Sequence, residues 1–341
     1  MEPAKKQFLE RFGFFMKLIL LLLSLSCSSQ HLDSGLAQTV NGKIESEQLG
    51  FVLTHEHVMS NFGADPKSAS QYDEASLMLQ VVPYLKKLKS LGITSILDCT
   101  TAYFGRNVQL LKRISEQTGV QLITNTGFYG AADDRYVPVL AYDATAEEIA
   151  RLWISEFERG IDDTGIKPGF IKLAFDAGEP SGIDLKLFKA GILTHLETGL
   201  TMVVHTGNNT EAVEEQLNLL EKYRVKPNAW VWVHANKVED TQLLISAAKK
   251  GAWISLDGVN ASNITEYTEK LNLFKKHELL HKVLLSHDGN SFPRGGEIRE
   301  YHAILTDLIP KLRQIGYSDS EIRQITIENP KNAFSIKKRN F

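Results

Sequence analysis

Cysteine is scarce in this chain. Cys27 and Cys99 are the only two in 341 residues, too few for a disulfide framework, and Cys99, inside an apolar segment, reads as a small buried residue. Net charge is nearly absent as well: 38 basic against 41 acidic residues leave −3, without a basic stripe, which argues against a nucleic-acid partner. No G-x-G-x-x-G or Walker pattern occurs, so no phosphate-cradling loop is expected. Low-complexity linkers and internal repeats are lacking too. One domain over about 35–336 is the economical reading. Beyond the N-terminus no apolar run is long enough to span a bilayer.

What is present begins with a leader. Lys5, Lys6, Arg11 and Lys17 form a basic lead, "LILLLLSL" an apolar core too short to span, and "SCSSQ" a small polar exit. Over residues 1–30 this is the layout of an export signal. Met16 is an alternative start, because "MKLILLLLSLSC" is a compact signal by itself. "SLSC" resembles a loose bacterial lipobox. The signal would then end before Cys27, and Cys27 would carry the lipid of an exported, periplasmic or membrane-anchored protein of a bacterium. A plain cleaved signal is the alternative.

Further on, short apolar runs alternate with amphipathic stretches. The runs are "GFVLTHEH" (50–57), "TSILDCT" (94–100), "QLITNTGFY" (121–129), "GFIKLAFD" (169–176), "TMVVHTG" (201–207), "AWVWVHA" (229–235), "AWISLDG" (252–258) and "KVLLSHDG" (282–289). Each is near-continuously apolar, as strands buried on both faces are. Helical spacing predicts helices between them, several ending at glycine. Thr145 and Glu148 form a capping box before one of them. "EIREYHAILTDLIPKLRQIG" (297–316) reads as a late helix. Pro83 within "SLMLQVVPYLKKLKSLG" implies a kink or a late start. Eight strands, each followed by a helix, predict a single-domain α/β protein, a (β/α)8 TIM barrel; a doubly wound open sheet is the rival.

In a barrel, functional groups come from the C-terminal ends of strands. Here the first run ends in His55 and His57, the fifth in His205, the sixth in His234 and the eighth in Asp288. The second ends in Asp98 and the seventh in Asp257, and the fourth carries Lys172 between Ile171 and Leu173. One such residue is ordinarily structural. Together they would converge on one face. Residues i and i+2 of a strand point the same way, so His55 and His57 can reach one metal ion while Glu56 points into the helix–strand layer as a bystander. Imidazole and carboxylate suit zinc, iron, cobalt or manganese. Four histidines and an aspartate exceed what one open site needs, which suggests two divalent metals. A two-metal site wants a bridging anion. Lys172 stands where an acid would be expected, and a lysine carboxylated by carbon dioxide is in effect a long-armed carboxylate.

These residues resemble those of the phosphotriesterase branch of the amidohydrolase superfamily. "LTHEH" looks like its opening His-x-His motif and "GFIKLA" its carboxylated-lysine segment. "VVHTG" and "WVHA" are similar to the segments of its later histidines, "SHDG" to that of its final aspartate, and "ENPKNAF" to its last helix. The resemblance runs from about Val40 to Ala333. It implies that His55, His57 and Asp288 hold the more buried metal and His205 and His234 the more exposed one. Carboxylated Lys172 and a hydroxide would bridge the two, the hydroxide attacking and Asp288 accepting its proton. Asp257 would be a hydrogen-bond partner of the ligands, and Tyr129 would line the pocket.

The implied activity is metal-dependent hydrolysis of an ester, lactone or phosphotriester by a small-molecule hydrolase; homodimers are common among such relatives. Paraoxon-hydrolysing members carry a histidine just after the seventh-strand aspartate and an acid shortly after the sixth-strand histidine. Gly258 and Lys237 stand there instead, which favours a lactonase or N-acyl amide hydrolase with little phosphotriesterase activity. A one-metal deaminase would want glutamate at Asn208 and no Lys172. A non-catalytic ligand-binding surface lipoprotein would have lost a ligand.

Overall fold

The computed structural model describes residues 35–68, 70–293 and 297–341. The leader and Cys27 lie outside them. An antiparallel hairpin, Leu36–Thr39 with Gly42–Glu45, comes first. Eight parallel strands follow, interleaved with helices: β1 (Val52–Glu56), β2 (Ser95–Asp98), β3 (Gln121–Ile123, continued by Asn125–Thr126), β4 (Phe170–Ala174), β5 (Thr201–His205), β6 (Trp230–Val233), β7 (Trp253–Leu256) and β8 (Val283–Leu285). β1 to β3 form one paired set, and the second half of β3 through β8 the other. They join through the break in β3 at Thr124, whose carbonyl accepts from Gly169 N at 2.8 Å. The seam between β8 and β1 is bonded by Asp288 N to His55 O (3.2 Å), His57 N to Gly289 O (2.9 Å) and Ser291 N to His57 O (3.0 Å). Every predicted run holds one barrel strand.

Strand periodicity sorts the core into two layers. In β4, Ile171 and Leu173 pack outward with Met202, Val204, Trp230 and Trp232 beneath the helices. Phe170 joins Val203, Val231, Val233 and Leu284 inside the barrel. Lys172, between two outward residues, therefore points inward. The interior is plugged at its N-terminal end by the leading hairpin, the short turn Ser46–Leu49 after it and the last helix, whose Ala37, Leu49 and Phe334 respectively join the same cluster. Cys99 is a buried interior residue.

Two helical expectations need correction. Pro83 does not delay the start of its helix, which runs over Glu74–Leu91 from an Asp73 cap. Pro83 is exposed, so the carbonyl it leaves unpaired can be hydrated. The predicted helix over 297–316 is not helical at its start. Arg299 exchanges both backbone hydrogen bonds with Asn290, at 2.9 Å each, and Tyr301 N donates to the Tyr84 hydroxyl at 2.6 Å. Tertiary partners thus satisfy the backbone there; a π-helical turn follows at Ile304–Leu308, and α-helix runs only over Ile309–Gln314. The capping box of Thr145 and Glu148 forms as expected, opening Ala146–Arg159.

The C-terminal tail is tied to the barrel wall by His195. Its Nε2 accepts from Arg339 N (2.9 Å), so its proton sits on Nδ1, which donates to Leu200 O (2.8 Å). Burial, with Arg339 adding to it, pushes this imidazole down to about 4 from the usual 6.5. The unfolded chain therefore binds a proton that the folded chain refuses between those values. Stability is full above pH 6.5 and falls as pH drops toward 4, by up to roughly 3 kcal/mol from this group. Urea midpoints should fall more steeply across that window in the wild type than in His195→Gln. Equal slopes would remove His195 as the cause.

Candidate metal centre

The two β1 histidines reach the barrel mouth through an irregularity. Leu53 pairs with Ile96 but Glu56 pairs with Asp98, so β1 spends one more residue than β2 over this interval. Such a bulge changes the phase of the alternation. Val52 faces the interior and Leu53 the helices; after the extra residue His55 and His57 face the cavity. β4 brings Lys172 beside them. Gly127, with φ 114°, lets the chain after β3 close on β4, since any Cβ there would overlap the Lys172 carbonyl. His205 ends β5, and His234 and Asp288 follow β6 and β8 in left-handed conformations (φ 60° and 53°).

His55, His57, Lys172, His205, His234 and Asp288 all line one cavity of about 340 Å³. The ligand atoms of His55, His57 and Asp288 lie within 4.8 Å of one another, as do those of His55, His234 and Asp257. His57 Nε2 stands 3.4 Å and His55 Nε2 3.8 Å from Asp288 Oδ1. The His205 and His234 rings are 4.5 Å apart, and those of His55 and His234 4.9 Å. Lys172 Nζ, fully buried, has no hydrogen-bond partner among the described residues.

Neighbours set the tautomers. Thr100 Oγ1 donates to Met59 O at 2.8 Å and so accepts from His57 Nδ1 at 2.8 Å, leaving Nε2 bare toward Asp288. Asp257 Oδ2 lies 3.3 Å from His55 Nδ1 and 3.5 Å from His234 Nδ1, favouring a proton on each and a free Nε2. Oδ2 also accepts from His234 N, and Oδ1 accepts from Ser255 Oγ. Asp257 thus sits beneath the cluster beside the Nδ1 atoms of His55 and His234. The Tyr129 hydroxyl is 3.3 Å from His205 Nδ1 and lines the cavity. Asp98 lies behind His57, accepting from Val58 N at 2.8 Å, and burial raises its carboxyl to about 7.

Burial and neighbouring charges push His57, His205, His234, Lys172 and Asp288 toward the protonation states a cation needs. Burial lowers His57, takes His205 well below its usual value, and brings His234 down to about 3. Burial also lowers Lys172. Burial alone would raise Asp288 and Asp257. The hydrogen bond with His57 and the neighbouring histidines hold Asp288 well below the usual carboxylate range, and His55 and His234 hold Asp257 at about 2. Four imidazoles, a carboxylate and an unpartnered buried amine therefore fit a two-ion site.

Sequence reasoning missed two groups. Glu56 does point away from the cavity, but it is not a bystander. Its buried carboxylate accepts from Ser286 Oγ (2.7 Å), His287 N (3.0 Å), His287 Nδ1 (2.7 Å) and Gly289 N (2.6 Å). It thus clasps the turn that presents Asp288 from both sides. His287 Nε2 accepts from Ile304 N, which puts the ring proton on Nδ1 for Glu56. Thr100, which orients His57, left no signal in the sequence beyond standing at a strand end.

Histidines, lysine and aspartate gathered at the C-terminal ends of a parallel barrel define a hydrolase of the metal-dependent barrel class. The phosphotriesterase family model matches residues 35–334, and the chain belongs to that family, whose enzymes are binuclear-metal hydrolases. It is 26% identical to the phosphotriesterase homology protein of Escherichia coli over 84% of this chain and 98% of that one. To an aryldialkylphosphatase of Saccharolobus solfataricus it is 26% identical, over 86% and 97%. To an N-acetyltaurine hydrolase of Xenopus tropicalis it is 25% identical, over 89% and 99%. The solved organophosphorus hydrolase from Deinococcus radiodurans superposes with a TM-score of 0.80 at 26% identity, over 88% of this chain and 96% of that one.

Proposed function

We propose that His55, His57 and Asp288 hold one divalent ion, His205 and His234 a second, and carboxylated Lys172 both, with zinc as the native metal. The observation that carries this reading is the buried Lys172 amine, without a partner, amid the other five donors. Two ions there would supply a nucleophilic water with a pKa near about 7 and polarise the scissile bond. Asp288 takes the proton released on attack; it lines the cavity from a left-handed turn. Tyr129 stands at the wall to meet the bound substrate. Asp257 and Thr100 hold the imidazoles in one tautomer.

A carboxylic ester, lactone or N-acyl amide is the favoured substrate over a phosphotriester. Gly258 and Lys237 at the mouth supply no acid–histidine relay, and a relative named for N-acetyltaurine hydrolysis supports an amide. Dialysis against a chelator should abolish turnover, and zinc with bicarbonate should restore it at about two ions per chain by elemental analysis. Turnover that survives complete metal removal would sink the proposal. Export and lipidation at Cys27 belong to the same reading, tested by palmitate labelling of wild type against Cys27→Ser; homodimer formation is tested by sedimentation velocity.

A further inference from the structure

The cavity is lined by two unlike sets of residues. Phe62 and Phe104 (ring centres 5.2 Å apart) form an aromatic face with Tyr129, 5.1 Å from Phe104. Arg299 lines the same cavity. Its backbone is pinned to Asn290, two residues beyond Asp288. Gly289 makes room for this, since a Cβ there would collide with Tyr301 and the Arg299 carbonyl. The Arg299 side chain is exposed, and among the described residues it has no ion pair and no hydrogen bond. An adjoining cavity of about 300 Å³ shares His234, Asp288 and Arg299 with the first and adds Lys237, equally exposed and unpaired among the described residues. The acids lining the adjoining cavity have other partners. Glu300 lies 3.7 Å from Lys87 and 3.8 Å from His302, Asp257 lies beneath His55 and His234, and Asp288 Oδ1 lies 3.4 Å from His57 Nε2.

Two cations without counter-charges beside a hydrolytic centre are a site for an anion, and a guanidinium fork matches planar or tetrahedral oxyanions. We infer that Arg299, with Lys237 beside it, binds an anionic group of the substrate. Resting on the hydrolase reading above, this makes the substrate an acyl conjugate. Its apolar acyl chain lies against Phe62 and Phe104, its scissile carbonyl over the donor cluster, and its carboxylate, sulfonate or phosphate at Arg299.

The probes are hexanoylglycine, hexanoyltaurine and N-hexanoyl-O-phosphoethanolamine, each compared with neutral hexanoylglycinamide on the zinc-loaded full chain. At least one anion should exceed the glycinamide in kcat/KM by about tenfold, an excess that shrinks as salt is raised because the cations are exposed. The leading probe identifies the anion. Arg299→Ala should lower the anion-to-amide ratio by about the same factor, and Arg299→Lys should keep part of it. Calorimetric titration with hexanoylglycine and hexanoylglycinamide reads the same preference without turnover. Equal handling of anionic and neutral probes by the wild type, or equal losses for both in Arg299→Ala, would overturn the inference. If no probe turns over but calorimetry shows an Arg299-dependent preference, the anion site stands and the substrate reading falls.

Discussion

Lys172→Ala is expected to abolish hydrolysis, lowering kcat by at least about a thousandfold, or roughly 4 kcal/mol of barrier, while the barrel remains folded. The expectation starts from a cost. An ammonium buried without a partner is too unfavourable to persist, so burial drives Lys172 toward the neutral amine. The neutral amine is the form that adds to carbon dioxide: its nitrogen lone pair forms the C–N bond, and one proton leaves to solvent. The proposed carbamate would carry an anion among His55, His57 and Asp288 and the later pair His205 and His234, all of which line one cavity with Lys172. Truncation to alanine removes that anion and leaves a cavity. A short acid such as propionate can fill both roles, so added propionate should return part of the activity and of the second metal equivalent. The readouts are kcat, elemental analysis and far-ultraviolet circular dichroism. A folded Lys172→Ala with wild-type kcat and two bound metals would overturn the bridging role.

Glu56→Ala carries the second largest expected effect. It strands four donors that the carboxylate now satisfies: Ser286 Oγ, His287 N, His287 Nδ1 and Gly289 N. Leaving such groups buried without partners costs about 3–5 kcal/mol in total. The same four groups flank Asp288, so the loss also loosens a residue proposed to hold metal, and affinity there should weaken by about 10–100-fold. Glu56→Gln separates the two consequences. It keeps the volume but turns one oxygen into a donor facing donors, so it should cost less stability than alanine while still lowering metal affinity. Urea denaturation gives the first quantity and zinc titration with a competing chelator the second. Glu56→Gln with wild-type metal affinity would reduce Glu56 to a packing role.

Much of the barrel could be read before any coordinates. Strands buried on both faces must be apolar nearly throughout, so all eight announced themselves, and a polar residue ending such a run stands out. His205, His234 and Asp288 were legible for that reason, and Lys172 because it interrupts an apolar run between Ile171 and Leu173. Arg299 was hidden because its segment has helical spacing, and only its pairing with Asn290 holds it extended. Pro83 misled only as to a late start, because whether a missing N–H matters depends on solvent reaching the freed carbonyl.

The sequence by itself determined the alternation of strand and helix and the set of donors at the strand ends, because burial period and residue chemistry are local properties of the chain. Only the tertiary structure decided the phase of β1, where an extra residue between Leu53 and Glu56 turns His55 and His57 to the cavity. It alone decided the work of Glu56, whose partners stand 230 to 233 residues downstream. A hydrogen bond across the barrel seam is set by where the first and last strands meet, and that meeting place is a property of the closed sheet.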